Sequence, residues 1–155
     1  MIDVQVSNAH PRRRARPVAV ATVVRSVIRS EKFSSASVSV VFIDSRRSRT
    51  LNRRYLGHDW VTDVISFPLA PPPAIEGEVY VNLDRALTQS EGLGLSYGEE
   101  VLRLVVHGVL HLLGYDDRSP VRRRRMQRRQ EALVQRFRRV HAHRKKSQFR
   151  AEAAS

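Results

Sequence analysis

The residue types that could do chemistry are concentrated in one run, HGVLHLLGYDD, at residues 107–117. His107 and His111 stand four residues apart, and the preceding residues 99–106 contain no proline or glycine, which favours a helix. Side chains at this spacing lie on one helix face, about 5–6 Å apart at Cβ, so both imidazoles can reach one ion. The pair therefore predicts a metal site on a helix.

Gly114 and Asp117 supply what such a site still needs. Glycine accepts the left-handed backbone with which helices commonly end, so Gly114 can return the chain towards the histidines. Asp117 then adds a carboxylate to the two imidazoles and leaves the fourth position of a tetrahedral ion open to water, as in catalytic zinc. We therefore predict one Zn²⁺ per chain on His107, His111 and Asp117.

The same histidines could instead be core residues that are merely hydrogen-bonded. A solvated pair would be out of place here, because buried imidazoles need partners and the flanking residues are strongly apolar. These neighbours are Val105, Val106, Val109, Leu110, Leu112 and Leu113. The spacing favours a metal site over satisfied core histidines.

Zinc peptidases with the motif HExxH share the four-residue spacing. In them a catalytic glutamate follows the first histidine, whereas Gly108 stands at that position here. Without this carboxylate a peptidase lacks its general base. A zinc hydrolase of peptides or small amides is therefore the less favoured alternative.

Three motifs follow one another across residues 40–120. LNRRY at 51–55 leads to Asp59 and TDVISFP at 62–68, GEVYVNLD occupies 77–84, and HGVLHLLGYDD completes the series. Together they resemble the YbeY family of bacterial rRNA-processing factors, whose usual forms are L-N-x-x-Y…D-x-x-T-D-V-L-S-F-P, G-E/D-I-x-I-S-x-D and H-G-x-L-H-L-x-G-Y-D-H. Three motifs in the family's order make the resemblance specific.

The resemblance implies a zinc-dependent, single-strand-specific endoribonuclease. It would act in maturation of the 3′ end of small-subunit rRNA and in ribosome quality control, with rRNA and the ribosome as partners. The expected catalyst is a water molecule bound to the zinc ion, because the ion lowers the pKa of that water towards about 7. No residue is placed as general base, and attack by the RNA's own 2′-OH stays open.

Two positions depart from the family pattern. Asp117 stands where the family commonly has a histidine, and since both residue types bind zinc the ligand role carries over. Leu56 stands where the family often has an arginine implicated in its RNA chemistry, although Arg53 and Arg54 are near in sequence. Leu56 keeps open a non-catalytic alternative, an rRNA-binding assembly factor with a structural metal.

Arginine dominates the charge of the chain. The sequence has 28 Lys and Arg against 15 Asp and Glu, a net charge of +13, and 14 of the basic residues fall in 118–150, where Glu131 is the only acid. A field of this sign attracts polyanions and favours phosphate contacts, so single-stranded RNA is the predicted partner. The candidate RNA-binding residues are Arg53, Arg54, Arg122 and Arg123.

Hydrophobic periodicity predicts one α+β domain, residues 1–140, with a four-stranded sheet, helices packed over it and the metal helix central. The resemblance to the YbeY family implies the same architecture, with a mixed sheet. The predicted strands are 2–7, 37–43, 63–67 and 78–82, and the predicted helices are 17–33, 45–56, 85–91, 96–113 and 119–140. Within the helix at 45–56 the expected inward residues are Leu51 and Tyr55. The basic residues 141–155 are expected to form a disordered tail.

The chain contains no cysteine, so no disulfide-linked partner is expected and a reducing cytoplasm is the predicted location. The first residues lack the apolar core of a signal peptide. No apolar run approaches the roughly 18 residues that a membrane span needs, so no membrane partner is expected.

Overall fold

This computed structural model describes the backbone of residues 1–153 and the side chains of residues 1–138. The strands are β1 (Ile2–Asn8), β2 (Ala36–Ile43), β3 (Val64–Pro68) and β4 (Glu76–Asn82). The helices are α1 (Pro17–Ser30), α2 (Ser45–Leu51) with a π-helical continuation (Asn52–Leu56), α3 (Leu83–Leu93), α4 (Tyr97–Leu112) and α5 (Pro120–Ala153). The predicted α+β class is confirmed.

The four strands form one mixed sheet in the order β1-β2-β4-β3. β1, β2 and β4 run parallel, and β3 pairs antiparallel with β4 at the edge. Val40 of β2 lies opposite Val6 of β1 and Val79 of β4, so the apolar residues of neighbouring strands share one face. The mixed sheet was predicted, and the strand order is new information.

The core lies between this face of the sheet and the helices. α1 begins at Pro17, where the missing N–H costs no hydrogen bond, and buries Val20, Val24, Val27 and Ile28. α4 contacts α1, α3, α5, β3 and β4, and most of its residues from Val101 to Leu110 are buried. The predicted central position of this helix is confirmed.

The prediction that Leu51 and Tyr55 turn inward is wrong for Tyr55, whereas Leu51 is half-buried. The buried residues of this segment are Ser48 and Asn52, while Tyr55 is 58% exposed. Asn52 Nδ2 donates to the Ser48 carbonyl at 3.1 Å and to Thr62 Oγ1 at 3.0 Å, and Ser48 Oγ donates to the Thr62 carbonyl at 2.9 Å. Because α2 has few apolar residues, these polar contacts, rather than an apolar stripe, join it to the loop that leads into β3.

α5 is longer than the sequence indicated. The predicted end was Val140, whereas the helix runs to Ala153. Met126 and Leu133 are buried as predicted, and Phe137 is half-buried. The division into a domain ending at 140 and a disordered tail at 141–155 stays a prediction, and Val140 lies outside the residues whose side chains are described. Within residues 1–153, no helix combines the length and the apolar character needed to cross a membrane.

Candidate metal centre

The C-terminal half of α4 carries the two histidines. The helix is capped by Ser96, whose side chain accepts a hydrogen bond from the Glu99 N–H at 3.1 Å, as the sequence predicted. After Leu112 the chain turns at Gly114, which has a φ of 103°, a value that side chains rarely allow. The turn predicted at Gly114 is therefore present.

His107 and His111 face each other. Their Nε2 atoms are 3.1 Å apart, and their rings meet edge to face with centroids 4.7 Å apart. Burial, and next the neighbouring charge of His107, lower the pKa of His111 and so favour its neutral form. Neutral imidazole is the form that binds metals, so the donor chemistry of the pair fits a borderline-soft ion such as Zn²⁺.

Gln130 of α5 sets the orientation of His107. The Gln130 Oε1 atom lies 2.7 Å from His107 Nδ1, while its Nε2 donates to Glu131 Oε1 at 3.4 Å, which fixes the direction of the amide. Since a carbonyl oxygen can only accept, Nδ1 carries the proton and donates to Gln130. The lone pair of His107 Nε2 is thus left pointing at His111, where a metal ion would need it.

Sequence analysis missed Gln130. The sequence held one signal, which is that a glutamine stands in the apolar stripe of this helix. Gln130 lies four residues after Met126 and three before Leu133, and all three are buried. A buried glutamine on such a stripe needs a partner. His107 is that partner, across the interface between α4 and α5.

An ionic network holds α5 against α4 beside this contact. Arg103 of α4 donates to both oxygens of Glu131 at 2.7 and 3.1 Å and to Glu100 at 3.0 Å. The hydrogen bond to Glu131 raises the pKa of Arg103, with burial opposing it, and the same bond lowers the pKa of Glu131. Two helices joined in this way give the His107–Gln130 contact a fixed frame.

Asp117 is exposed on the loop between α4 and α5. Its charge raises the pKa of His111, so it is near enough to act on the pair. Its carbonyl accepts from Arg123 at 3.5 Å, and the neighbouring Asp116 carboxylate accepts from Arg122 at 3.3 Å. Among residues 1–138 no third His, Cys, Asp or Glu joins the histidines in a ligand cluster, so the assignment of Asp117 as a ligand stays a prediction.

Gly108, between the two histidines, is where α4 approaches the sheet. Its carbonyl accepts from Ser66 Oγ of β3 at 2.8 Å, and a Cβ placed there would lie 2.4 Å from Val79 Cγ1 and 3.0 Å from Val64 Cγ2. A glutamate at this position would enter the packed face of the sheet instead of facing the site. Close packing against the sheet thus explains why this chain has glycine where HExxH peptidases have their catalytic glutamate.

The candidate RNA-binding arginines differ in whether a carboxylate of the protein already binds them. Arg53 donates to Asp59 at 2.9 Å together with Arg49, and these hydrogen bonds lower the pKa of Asp59 to about 2. Arg54 lies 5.5 Å from the centroid of the Tyr55 ring and has no carboxylate partner among the described side chains.

Arg122 and Arg123 are held by the α4–α5 loop, through the contacts to Asp116 and to the Asp117 carbonyl. Leu56, the residue that departs from the family pattern, is 44% exposed at the end of the π-helical turn. It lies two residues beyond Arg54, the least engaged of the four candidate arginines.

The sequence is similar to those of known endoribonucleases. The sequence model described as Endoribonuclease YbeY matches residues 5–138. Proteins named Endoribonuclease YbeY from Chlorobium luteolum and Chlorobium phaeovibrioides are 37% identical over 134 residues and 39% identical over 123 residues. These matches cover 86% of this chain and 97% of the first protein, and 79% of this chain and 83% of the second.

The fold has a counterpart among solved structures. The solution structure of TM1509 from Thermotoga maritima superposes with a TM-score of 0.60, covering 84% of this chain and 86% of that one. Sequence identity is 22%, so this similarity concerns the architecture alone.

Proposed function

The chain belongs to the YbeY family of endoribonucleases. We propose that it is a zinc-dependent enzyme that cleaves single-stranded RNA. The observation that carries the zinc proposal is the facing pair of Nε2 atoms on His107 and His111, with the Nδ1 proton of His107 held by Gln130. Two Nε2 atoms at this distance fit either a hydrogen bond between them or, with both lone pairs free, one shared ion. Membership of the YbeY family and the neutral form favoured at His111 support the ion.

The ligands proposed for the ion are His107, His111 and Asp117. When bound, zinc would polarise a phosphoryl oxygen and make water more acidic at neutral pH. Gln130 holds one imidazole in its binding tautomer, and the Arg103–Glu131 ion pair keeps the two helices in register. Exposed arginines, Arg54 first among them, would neutralise the RNA backbone next to the site.

The substrate proposed is rRNA at the 3′ end of the small subunit, with a further role in ribosome quality control in the cytoplasm. The family membership supports the rRNA substrate, and the absence of cysteine suits a reducing compartment.

A labelled RNA that spans this 3′ end and its trailing sequence tests the substrate. Cleavage is expected in the single-stranded RNA and is expected to be lost when a complementary strand is annealed. Equal cleavage of both forms would contradict single-strand specificity. A 2′-deoxy nucleotide at the cleaved position separates attack by water, which it permits, from attack by the 2′-OH, which it blocks.

Gln130→Ala is expected to weaken zinc binding by about 10- to 100-fold, because a residue that orients a metal-ligating histidine is worth about this much in affinity. Zinc affinity can be measured by competition with a chromophoric chelator. Gln127→Ala is the matched control, since Gln127 is exposed on the same helix. Equal zinc affinity of the two variants would contradict the role given to Gln130.

Leu56→Arg is expected to change the cleavage rate by less than about tenfold, because losing a preorganised donor costs about 10²–10³ only where nothing replaces it. Arg54, exposed and without a described carboxylate partner, supplies positive charge nearby. Leu69→Arg, which adds the same charge at a 57% exposed leucine outside the family motif, is the control.

Single-turnover cleavage rates of zinc-loaded protein decide between an endoribonuclease and a non-catalytic rRNA-binding factor. Inactive wild type that gains activity in Leu56→Arg, and not in Leu69→Arg, would show a non-catalytic rRNA-binding factor. The zinc proposal would survive that outcome.

A further inference from the structure

A groove lined by arginines runs along α5 on the side that faces the end of α1. It encloses about 580 Å³, and its chemistry comes from Tyr115 of the α4–α5 loop and from four arginines of the helix. These are Arg124, Arg125, Arg128 and Arg129. We call these five residues the arginine groove.

One wall of the arginine groove is fixed by Glu31, which follows α1. Its carboxylate accepts hydrogen bonds from Arg129 Nε and, at 2.8 Å, from the Tyr115 hydroxyl. The Arg125 guanidinium lies 5.4 Å from the centroid of the Tyr115 ring. Glu31 therefore holds Tyr115 and Arg129 in place, and the exposed Arg125 lies over the Tyr115 ring.

The other arginines of the groove have no acidic partner. Arg124, Arg125 and Arg128 are exposed, and within residues 1–138 no carboxylate lies within ion-pair distance of them. Arg49 and Arg53, by contrast, share Asp59, and Arg103 pairs with Glu131. Three arginines without a carboxylate partner make this side of the helix strongly positive, and a bound anion would neutralise that charge.

The arginine groove is separate from the histidine pair. Gln130, which binds His107, and Arg128 are two residues apart, and at 3.6 residues per turn this places them about 200° apart around α5. The groove therefore opens on the other side of the helix from the candidate metal centre. A ligand bound there would not fill the site of cleavage.

We propose that the arginine groove is a second binding surface for RNA, which takes the phosphate backbone of the strand at a distance from the cleaved bond. Guanidinium groups match phosphate oxygens in a planar fork, and side chains three or four residues apart on a helix offer them at regular intervals. The proposal rests on the proposed function for the identity of the ligand.

Charge and composition favour RNA over the other anionic partners. An anionic membrane would require a continuous apolar stripe beside the arginines, and this side of the helix offers only Val121 and Ala132. Planar forks at helical spacing match the repeating phosphates of a nucleic acid backbone. Anionic vesicles and polyglutamate therefore serve as competing probes in the test.

The test compares two triple variants that lose the same charge, in a His111→Ala background that keeps the RNA intact. One replaces Arg124, Arg125 and Arg128 by Gln. The control replaces three exposed arginines that also lack a described carboxylate partner and that follow the carboxyl ends of the parallel strands, namely Arg14, Arg46 and Arg85. Binding of a fluorescent single-stranded RNA is measured by anisotropy across a range of salt concentrations.

The groove variant is expected to bind at least tenfold more weakly at low salt, with a log–log salt slope smaller by about 2, since each phosphate contact on a single strand contributes about 0.7. The control is expected to change affinity less than threefold. Equal losses in the two variants would show a diffuse field and overturn the proposal. So would unchanged RNA binding, or a loss confined to vesicles or polyglutamate.

Arg128→Gln alone, expected to lower the slope by about 0.7, covers the case in which the triple variant does not fold. Because binding is read without cleavage, an inactive wild type would refute the proposed function and leave this result unaffected. Cleavage by the wild type together with equal RNA binding by the two triple variants would refute the groove alone.

Discussion

Replacing His111 by alanine is expected to remove bound zinc and to lower the rate of RNA cleavage by about 10³-fold or more. A metal ion contributes several kcal/mol to stabilising charge in the transition state, and about 4 kcal/mol corresponds to about three powers of ten in rate. His107→Ala is expected to have the same effect, because the two Nε2 atoms point at each other and neither can hold an ion alone.

The measurement is elemental analysis of the purified variants together with single-turnover cleavage of labelled RNA. His58→Ala is the control, since His58 is exposed and stacks on Trp60, with ring centroids 4.1 Å apart. Asp117→His should retain zinc because histidine is the commoner ligand of the family at this position, and Asp117→Ala should lose affinity. Full metal occupancy in both His107→Ala and His111→Ala would refute the site.

The second large effect concerns Gly108. Gly108→Ala is expected to destabilise the fold by about 1–3 kcal/mol, the usual cost of forcing an extra carbon into a packed core. The added Cβ would lie 2.4 Å from Val79 Cγ1, and the opposing gain from replacing a helical glycine by alanine is at most about 1 kcal/mol. Gly108→Glu, which would also bury a charge, is expected to prevent folding.

Gly98→Ala is the matched control for Gly108→Ala. Gly98 lies in the first turn of the same helix, and a Cβ there has no heavy atom within 4 Å, so alanine is expected to stabilise by up to about 1 kcal/mol. Urea unfolding gives the free energies of both variants. A Gly108→Ala protein as stable as Gly98→Ala would show that the close packing of α4 on the sheet is not present in solution.

The sequence was sufficient to predict the features that local patterns encode. Alternating apolar residues placed β1 and β4, and the spacing of His107 and His111, with Gly114 behind them, placed the candidate site on α4. These predictions succeed because helix and strand periods decide which side chains share a face.

Features that depend on contacts between distant residues were not predictable in this way. The strand order has no local signature. Tyr55 was expected to turn inward, because nothing near it in the sequence reveals that Thr62 pairs with Ser48 and Asn52. Gln130 orients His107 from 23 residues away, so only the packing of α5 on α4 reveals its role.

The charge pattern predicts a polyanionic partner but does not show which arginines are free to contact it. Arg122 and Arg123, two of the four candidates, lie in the arginine-dense segment 118–150, and both contact the loop before α5. The neighbours Arg124, Arg125 and Arg128 face an open groove. Position around a helix decides which charges are free to bind, and a count of arginines along the chain does not show it.

Titration of metal-free protein with zinc, with bound metal and RNA cleavage measured on the same samples, tests the central claim most directly. We expect cleavage to be absent without metal, to rise in proportion to bound zinc and to saturate at about one zinc per chain, with no recovery in His107→Ala or His111→Ala. Full cleavage by protein that elemental analysis shows to be free of metal would contradict the account.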